Sequence, residues 1–268
     1  MEERLSFAED IAGHAGMQGD IVKTDNFQIK TYTKIYKQAA AVNIYIEGDG
    51  LAWVDRGRLS SNPTPRDPMG LRLAAADTSD NVIYLARPCQ YISFKSDFLC
   101  EGKFWSGSRF SDTVISSMNQ AISKLKAHNN FSDINIIGYS GGAAVAAIIA
   151  SKRTDVISIR TVAGNLDHNA VNQYHKVDLL DDSLNAIDFA KYISHIPQYH
   201  FSGSDDTIIP AFIAENFTKR INGYANGYEP CAKNKLIAKA THHSGWQEKW
   251  QILLAEDVSC NAHNLMRK

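Results

Sequence analysis

The sequence has almost no net charge. Its 28 lysine and arginine residues nearly balance 29 aspartate and glutamate residues, which leaves a formal net charge of −1 over 268 residues. The basic residues are scattered along the chain and form no basic patch. Broad electrostatic attraction to nucleic acid or to an anionic membrane is therefore not expected, and no nucleic-acid partner is predicted.

Long apolar runs are also missing. The longest apolar-leaning stretch, residues 134–150, contains Asn135, Tyr139 and Ser140, which lipid would disfavour, so no integral membrane segment is predicted. Residues 1–17 are charged and lack the basic region followed by an apolar region that marks a signal peptide. The expectation is either a cytosolic protein or the mature, trimmed form of an exported one.

Cysteine is scarce, and the common signatures of metal and nucleotide binding do not occur. The four cysteines, Cys89, Cys100, Cys231 and Cys260, include no C-x-x-C pair, so no metal site is predicted. Neither G-x-G-x-x-G nor G-K-[ST] is present, and no cofactor is predicted. An even number of cysteines permits disulfides and permits buried thiols equally well.

What the sequence does contain is a series of apolar, β-branched runs separated by helical periodicity. Strand-like runs lie at 27–36, 40–48, 81–88, 134–140, 156–164, 198–203 and 235–243. Several are continuously apolar, as expected for parallel strands covered on both faces. Residues 110–128 repeat apolar side chains at helical spacing, as do the residues that follow Pro210. This alternation predicts an α/β fold with a doubly wound, mostly parallel sheet.

Two stretches interrupt the alternation. Residues 51–80 contain three prolines and are predicted to form a long excursion after the third strand. Residues 165–197 are polar with a short helical signal and are predicted to form a small cap over the sheet edge. We therefore predict a single domain, residues 1–268, with loop insertions, instead of two separate domains.

One serine lies at the junction of a strand and a helix. The segment GYSGG, residues 138–142, follows a β-branched run, precedes an alanine-rich helix, and matches the G-x-S-x-G nucleophile elbow. A direct strand-to-helix turn strains the serine and leaves room only for small residues two positions before and after it. Ser140 is therefore predicted to be a nucleophile, and the N–H of Gly141, at the helix N-terminus, an oxyanion donor.

A serine nucleophile needs an acid and a base. The segments GSDDTIIP and THHSGW follow Ser140 in the order that resembles the α/β-hydrolase family, nucleophile first, then acid, then histidine. GSDDTIIP is similar to the family's G-x-x-D-x-x-V-P turn, which selects Asp206 over Asp205 as the acid. Asp167, which follows the preceding strand, is the alternative acid.

Two adjacent histidines are candidates for the base. His242 and His243 close the last strand-like run, and alternation along a strand would point their rings in opposite directions. Only one of them could then face Ser140. The following Ser-Gly-Trp resembles the H-x-x-G-W signature of a bacterial branch of the family, which selects His242 and leaves His243 as the alternative.

The second oxyanion donor is expected in the loop after the strand at 40–48. Asp49 is predicted to donate through its backbone N–H, with Gly48 as the neighbouring candidate. Glu47 stands where the family often has a histidine, so two carboxylates would lie near a developing oxyanion. That arrangement is costly unless the side chains turn away or pair with a cation such as Arg56 or Arg87.

Five segments together, EGDGLAW, RPCQY, GYSGG, TVAGNLDH and HHSGW, resemble the bacterial branch. The resemblance implies a disulfide between Cys89 and Cys100 and favours a periplasmic or secreted location over the cytoplasm. It implies a serine hydrolase, which we expect to cleave a small-molecule carboxylic ester or short acyl substrate through an acyl-enzyme. A thioesterase or peptidase on the same triad, or a non-catalytic scaffold that binds a partner or ligand, stays open.

Overall fold

The structure is a computed structural model that describes residues 2–55, 57–94, 99–180, 182–225 and 229–260. In these ranges the strands are β1 (Gln18–Lys23), β2 (Gln28–Ile35), β3 (Val42–Ile46), β4 (Trp53–Asp55), β5 (Arg58–Leu59), β6 (Asn81–Leu85), β7 (Ile134–Tyr139), β8 (Val156–Val162), β9 (Gln198–Gly203) and β10 (Ala232–Ile237). The helices are α1 (Glu2–His14), α2 (Met69–Ala76), α3 (Asp112–Asn129), α4 (Gly141–Ala150), α5 (His168–His175), α6 (Phe212–Asn222) and α7 (Trp250–Leu254). Three 3₁₀ segments lie at Gly102–Trp105, Ala186–Ile193 and Gln247–Lys249.

Eight of these strands form one sheet in the order β1-β2-β6-β3-β7-β8-β9-β10. The strands from β6 to β10 along this order run parallel to one another, and β1 and β2 join antiparallel at one edge. Helices connect the later parallel strands, as such crossovers require. The predicted α/β class with a mostly parallel sheet is confirmed.

The apolar runs of the sequence are buried on both faces of the sheet. Every residue of β3 and β6 is buried. Successive side chains of a strand point to opposite faces of the sheet. Ile44 packs in a cluster with α3, α4 and α6 on one face, whereas Tyr45 packs in a cluster with α1, α2 and α7 on the other. All ten residues of α4 are buried, and their small size lets this helix pack closely on the sheet directly after Ser140.

The two interrupting stretches contain secondary structure of their own. Residues 51–80 include the antiparallel ribbon of β4 and β5 and the helix α2. Residues 165–197 include α5 and the 3₁₀ segment Ala186–Ile193. The cap role of the second stretch and the single domain stay predictions. None of the helices in the described ranges combines the length and apolar character needed to cross a bilayer.

Candidate active site

Ser140 occupies the turn between β7 and α4. Its backbone has φ 52° and ψ −121°, a conformation that a residue with a side chain rarely adopts. Three backbone hydrogen bonds hold it there: its N–H donates to Val162 O at 3.0 Å, and its carbonyl oxygen accepts the N–H groups of Ala143 and Asn165, both at 3.0 Å. The strain is therefore supported by the strand and loop beside it.

Close contacts explain the glycines on either side of Ser140. A Cβ on Gly138 would lie 2.5 Å from Gly142 O and would also overlap Ala143. A Cβ on Gly142 would lie 2.5 Å from Glu47 O and would overlap the carbonyl of Ile46. The positions two before and two after the serine can therefore hold only glycine, as the elbow pattern predicts.

Ser140, His242 and Asp206 lie in one hydrogen-bonded chain. Ser140 Oγ is 2.9 Å from His242 Nε2, and His242 Nδ1 is 2.9 Å from Asp206 Oδ2. The other Asp206 oxygen accepts the N–H groups of Ile208 and Ile209 at 2.9 and 2.8 Å. Because a carboxylate only accepts, His242 Nδ1 carries the proton and Nε2 is left to accept the hydroxyl proton of Ser140.

The turn after β9 brings Asp206, and not Asp205, to the histidine. Asp205 is exposed, and its side chain accepts the hydroxyl of Ser204 at 2.7 Å. The side chain of Asp206 is fully buried. Gly203 lets this turn approach the loop after β10, because a Cβ there would overlap Ala240 O, which accepts the N–H of Asp205.

The prediction that both histidines lie on a strand is wrong. β10 ends at Ile237, and the two residues follow in a loop closed by a hydrogen bond from Thr241 N–H to Ser244 O. The rings of His242 and His243 do not point in opposite directions but meet edge to face, with centroids 4.8 Å apart.

His243 is held by Tyr139 instead of Ser140. Tyr139 Oη donates to His242 O at 3.0 Å and lies 3.1 Å from His243 Nδ1. Since the tyrosine proton is already used, Nδ1 of His243 donates to the tyrosine oxygen. Partial burial and the neighbouring His242 lower the pKa of His243. The structure therefore brings His242, and not the alternative base, to the serine.

The alternative acid Asp167 caps a helix. Its side chain accepts the N–H of Ala170, in the first turn of α5, at 3.2 Å, and the side-chain amide of Asn185 at 2.8 Å. This is the usual role of an aspartate at a helix N-terminus. In the described ranges no hydrogen bond or ion pair joins Asp167 to His242, whose Nδ1 lies against Asp206 instead.

Two backbone N–H groups are candidates for the oxyanion hole. Within the described ranges, neither the N–H of Gly141 nor that of Asp49 donates to a protein acceptor. The N–H of Gly48 donates to Glu47 Oε1 at 2.9 Å, so the prediction of Gly48 as a donor is corrected. Gly48 instead supplies space, because a Cβ there would lie 3.1 Å from Ser140 Cβ.

The Glu47 carboxylate turns into the core. It accepts the N–H groups of Gly48, Gly70 and Leu71 and the hydroxyl of Tyr84. Gly70 and Leu71 lie in the first turn of α2, so the Glu47 carboxylate caps this helix and ties residues 51–80 to the loop after β3 that contains Gly48 and Asp49, here named the oxyanion loop. Burial raises the pKa of Glu47, and these hydrogen bonds oppose the rise.

The Asp49 carboxylate pairs with cations. Arg87 Nη1 lies 3.2 Å from Oδ1, and Arg109 Nε lies 3.0 Å from Oδ2. Arg87 is one of the two cations expected from the sequence, whereas Arg56 lies outside the described residues. No sequence pattern marked Arg109, because it precedes α3 and is far from the oxyanion loop along the chain.

Two disulfides are present. One joins Cys89 to Cys100, the pairing that the resemblance implies. The other joins Cys231 to Cys260, which sequence reasoning missed because only the even count pointed to it. Gln90, beside the first disulfide, donates to Gly48 O and accepts from the N–H of Arg87, both at 3.0 Å.

The described residues contain no group of three or more His, Cys, Asp or Glu that could hold a metal ion.

Comparison with known proteins places the fold. No family model matches the sequence, and no curated protein matches it. A serine hydrolase homologue from Coxiella burnetii has a TM-score of 0.59 at 14% identity, with 90% of this chain and 97% of that one covered. An esterase from Pyrococcus furiosus has a TM-score of 0.61 at 15% identity, with 91% of each chain covered. Est1E from Butyrivibrio proteoclasticus has a TM-score of 0.57 at 11% identity, covering 93% of this chain and 97% of that one. Such likeness at low identity establishes the α/β-hydrolase fold alone.

Proposed function

We propose that this chain is a serine hydrolase that cleaves carboxylic esters or short acyl substrates through an acyl-enzyme on Ser140. The observation that carries the proposal is the continuous hydrogen-bonded chain from Asp206 through His242 to Ser140, with 2.9 Å at both links. A histidine with one ring nitrogen on a buried carboxylate and the other on a serine hydroxyl is arranged to activate that serine.

The first half of the reaction forms the acyl-enzyme. His242 Nε2 accepts the proton of Ser140 Oγ as this oxygen attacks the substrate carbonyl. Asp206 keeps His242 in the required tautomer and stabilises the imidazolium that forms. The N–H groups of Gly141 and Asp49 donate to the resulting oxyanion, and the N-terminus of α4 favours its negative charge. His242 then gives the proton to the departing alcohol.

The second half repeats these steps with water. His242 accepts a proton from water, which attacks the acyl carbonyl, and the same N–H groups hold the second oxyanion. Collapse of that intermediate returns the proton to Ser140 and releases the acid. Every proton in the reaction passes through His242, so both halves depend on the same link between Nε2 and Oγ.

An ester is the preferred bond for two reasons. The fold is shared with an esterase from Pyrococcus furiosus, and an alcohol leaving group needs less help from a general acid than an amine does. Thioester and peptide substrates remain alternatives because the same three side chains can act on them. A non-catalytic scaffold is the alternative of a different class.

The two disulfides support a second part of the proposal, the compartment. We propose that the chain works in an oxidising, extracytoplasmic location, periplasmic or secreted, because the cytosol keeps most protein thiols reduced. The free-thiol content of the protein recovered from its native cell tests this: no reactive thiol is expected, whereas four would contradict it.

A fluorophosphonate probe tests the serine and its base together. The native chain is expected to be labelled, Ser140→Ala to remain unlabelled, and His242→Ala to react about 10³-fold more slowly because it lacks the base. His243→Ala is the matched control, and its labelling rate is expected to stay within about threefold of the native rate. The measurement is the labelling rate at several probe concentrations.

Other outcomes have defined meanings. Rapid labelling of His242→Ala together with loss in His243→Ala would move the base to His243. A native chain that neither reacts with the probe nor hydrolyses any member of a panel of short esters, thioesters and peptides would contradict the enzyme and favour the scaffold.

A further inference from the structure

The candidate oxyanion hole contains a charge of the unfavourable sign. Asp49 offers its backbone N–H, but its side chain packs directly on Gly141, the other candidate donor. A Cβ on Gly141 would lie 2.6 Å from Asp49 Cγ and would overlap Oδ1. A carboxylate in this position would oppose the negative charge that develops on the substrate oxygen.

Two arginines from different elements enclose this carboxylate. Arg87 follows β6 and contacts Oδ1, and Arg109 precedes α3 and contacts Oδ2, at 3.2 and 3.0 Å. The Arg87 side chain is only 5% exposed and that of Arg109 only 12%. Each guanidinium also lies over the ring of Phe110, 5.3 Å from its centroid. Each oxygen of Asp49 therefore has its own cation.

The two arginines are also linked to each other. Arg87 Nη2 donates to the backbone carbonyl of Arg109. The N–H of Arg87 donates to Gln90, whose amide donates to Gly48 O in the oxyanion loop. Burial lowers the pKa of Arg87, and Asp49 opposes this effect. Burying two cations is costly in itself, and the negative charge of Asp49, with a smaller contribution from Glu47 at Arg87, offsets that cost.

We propose that Arg87 and Arg109 are positioning residues of the oxyanion hole that act through Asp49. Arg87 holds one side-chain oxygen of Asp49 by a hydrogen bond and Arg109 attracts the other as an ion pair, so together they restrain the residue whose backbone N–H faces the site and offset the carboxylate charge beside Gly141. This inference rests on the proposed function, since the oxyanion arises only if Ser140 attacks a carbonyl.

A double-mutant cycle between Arg109 and Asp49 tests this role. Arg109 is chosen because it is more exposed than Arg87, so its replacement disturbs the core less. Arg109→Gln leaves the carboxylate partly unpaired, and kcat for a short-chain p-nitrophenyl ester is expected to fall about 10- to 100-fold while KM changes less than about threefold. In an Asp49→Asn background the same substitution is expected to lower kcat less than about threefold, because the charge it offsets is gone.

Two further variants separate positioning from folding. Arg109→Lys keeps the charge, and kcat is expected to recover to within about threefold of the native value, clearly above that of Arg109→Gln. Arg153→Gln is the matched control, because Arg153 forms a similar ion pair with Asp155 at the opposite, amino-terminal end of β8. Its kcat is expected to stay within about twofold of the native value.

A transition-state mimic gives an independent readout. The tetrahedral adduct of an alkyl boronic acid with Ser140 would place an oxygen in the oxyanion hole. Its affinity is expected to fall in Arg109→Gln by about the same factor as kcat. A substitution that merely loosens the fold would lower the melting temperature without this parallel loss.

The outcomes of this test differ from those for the function. If the native enzyme hydrolyses the ester but the losses from Arg109→Gln and Asp49→Asn simply multiply, the positioning role is overturned and the hydrolase stands. The same holds if Arg109→Gln has no more effect on kcat than Arg153→Gln. A native chain that fails to react with esters and with the fluorophosphonate overturns both.

Discussion

Two neighbouring aspartates in one turn have very different surroundings. Asp206 is buried and holds His242 with one oxygen and two backbone N–H groups with the other. Asp205 is exposed, and in the described ranges its side chain accepts a hydrogen bond from the hydroxyl of Ser204. The chemical difference between them therefore comes entirely from the direction of the turn, and this makes them a matched pair for mutation.

Asp206→Asn is expected to lower kcat about 10³- to 10⁴-fold, because the amide would favour the wrong tautomer of His242. Asp205→Asn is expected to leave kcat within about twofold. Steady-state kinetics on a short-chain ester, with melting temperatures for both variants, make the comparison. Similar losses in the two variants would contradict the assignment of the acid.

The three residues that the structure joins by hydrogen bonds, Ser140, Asp206 and His242, could be selected from the sequence because each lies in a local pattern. The spacing in GSDDTIIP selected Asp206, and Ser-Gly-Trp after the histidine pair selected His242. The oxyanion loop could only be predicted in part. Gly48 was expected to donate, but the direction of its N–H depends on the buried carboxylate of Glu47, which a local pattern cannot show.

At the scale of elements, the junction of β7 and α4 depends on close approach to β3. Gly142 is the contact point, since a side chain there would overlap the carbonyls of Ile46 and Glu47 at the end of β3. The position of Ser140 is therefore fixed by the distance between a helix and a strand, and not only by the strain in its own backbone.

Gly142→Ala is expected to lower the free energy of unfolding by about 3 kcal/mol, because α4 must move away from β3. The probe should then label Ser140 more slowly at temperatures where the variant is still folded. Gly107→Ala is the control, since a Cβ there would meet nothing within 4 Å. Urea denaturation measures the free energy of unfolding of both variants. Equal values would show that the close contact between α4 and β3 does not stabilise the fold.

Strand positions followed from the sequence where both faces are covered, as in β3, β6 and β7, because a short, continuously apolar run is typical of a buried parallel strand. The last strand was less predictable. β10 has four exposed residues and ends at Ile237, so the run at 235–243 mixed a strand with the following loop. The edge position of β10 and the loop that presents His242 depend on tertiary contacts with Gly203 and Ala240.

At the scale of the whole molecule, one buried histidine couples stability to pH. His200 in β9 is fully buried, with Nδ1 2.9 Å from Thr161 Oγ1. Burial lowers its pKa from 6.5 to about 3. Between these values the unfolded chain binds a proton that the native chain does not, so stability falls as pH falls. Above 6.5 the histidine is neutral in both states and contributes no pH dependence.

The free energy of unfolding is therefore expected to decrease below about pH 6.5, with a slope from His200 that approaches about 1.4 kcal/mol per pH unit. His200→Gln is expected to remove this part of the slope, although the variant starts from a lower stability. Urea denaturation of both proteins at several pH values measures the difference. Parallel pH profiles for the two proteins would contradict the buried neutral histidine.

The fold class followed from the alternation of strands and helices, which is a property of the whole chain and survives local errors. The disulfide between Cys231 and Cys260 could not be derived in the same way, since it joins the start of β10 to a segment beyond α7. The ion pair between Asp49 and Arg109 could not be derived from the sequence either. Both depend on three-dimensional proximity between segments that no short pattern connects.

The most direct test of the central claim is the mass of the protein during turnover. The native chain is mixed with p-nitrophenyl acetate, quenched in acid within seconds, and examined by intact-mass and peptide mass spectrometry. A covalent serine mechanism predicts one added acetyl group on the peptide that contains Ser140, absent from Ser140→Ala. Rapid release of nitrophenol with no adduct on that peptide, or with an adduct on another residue, would contradict it.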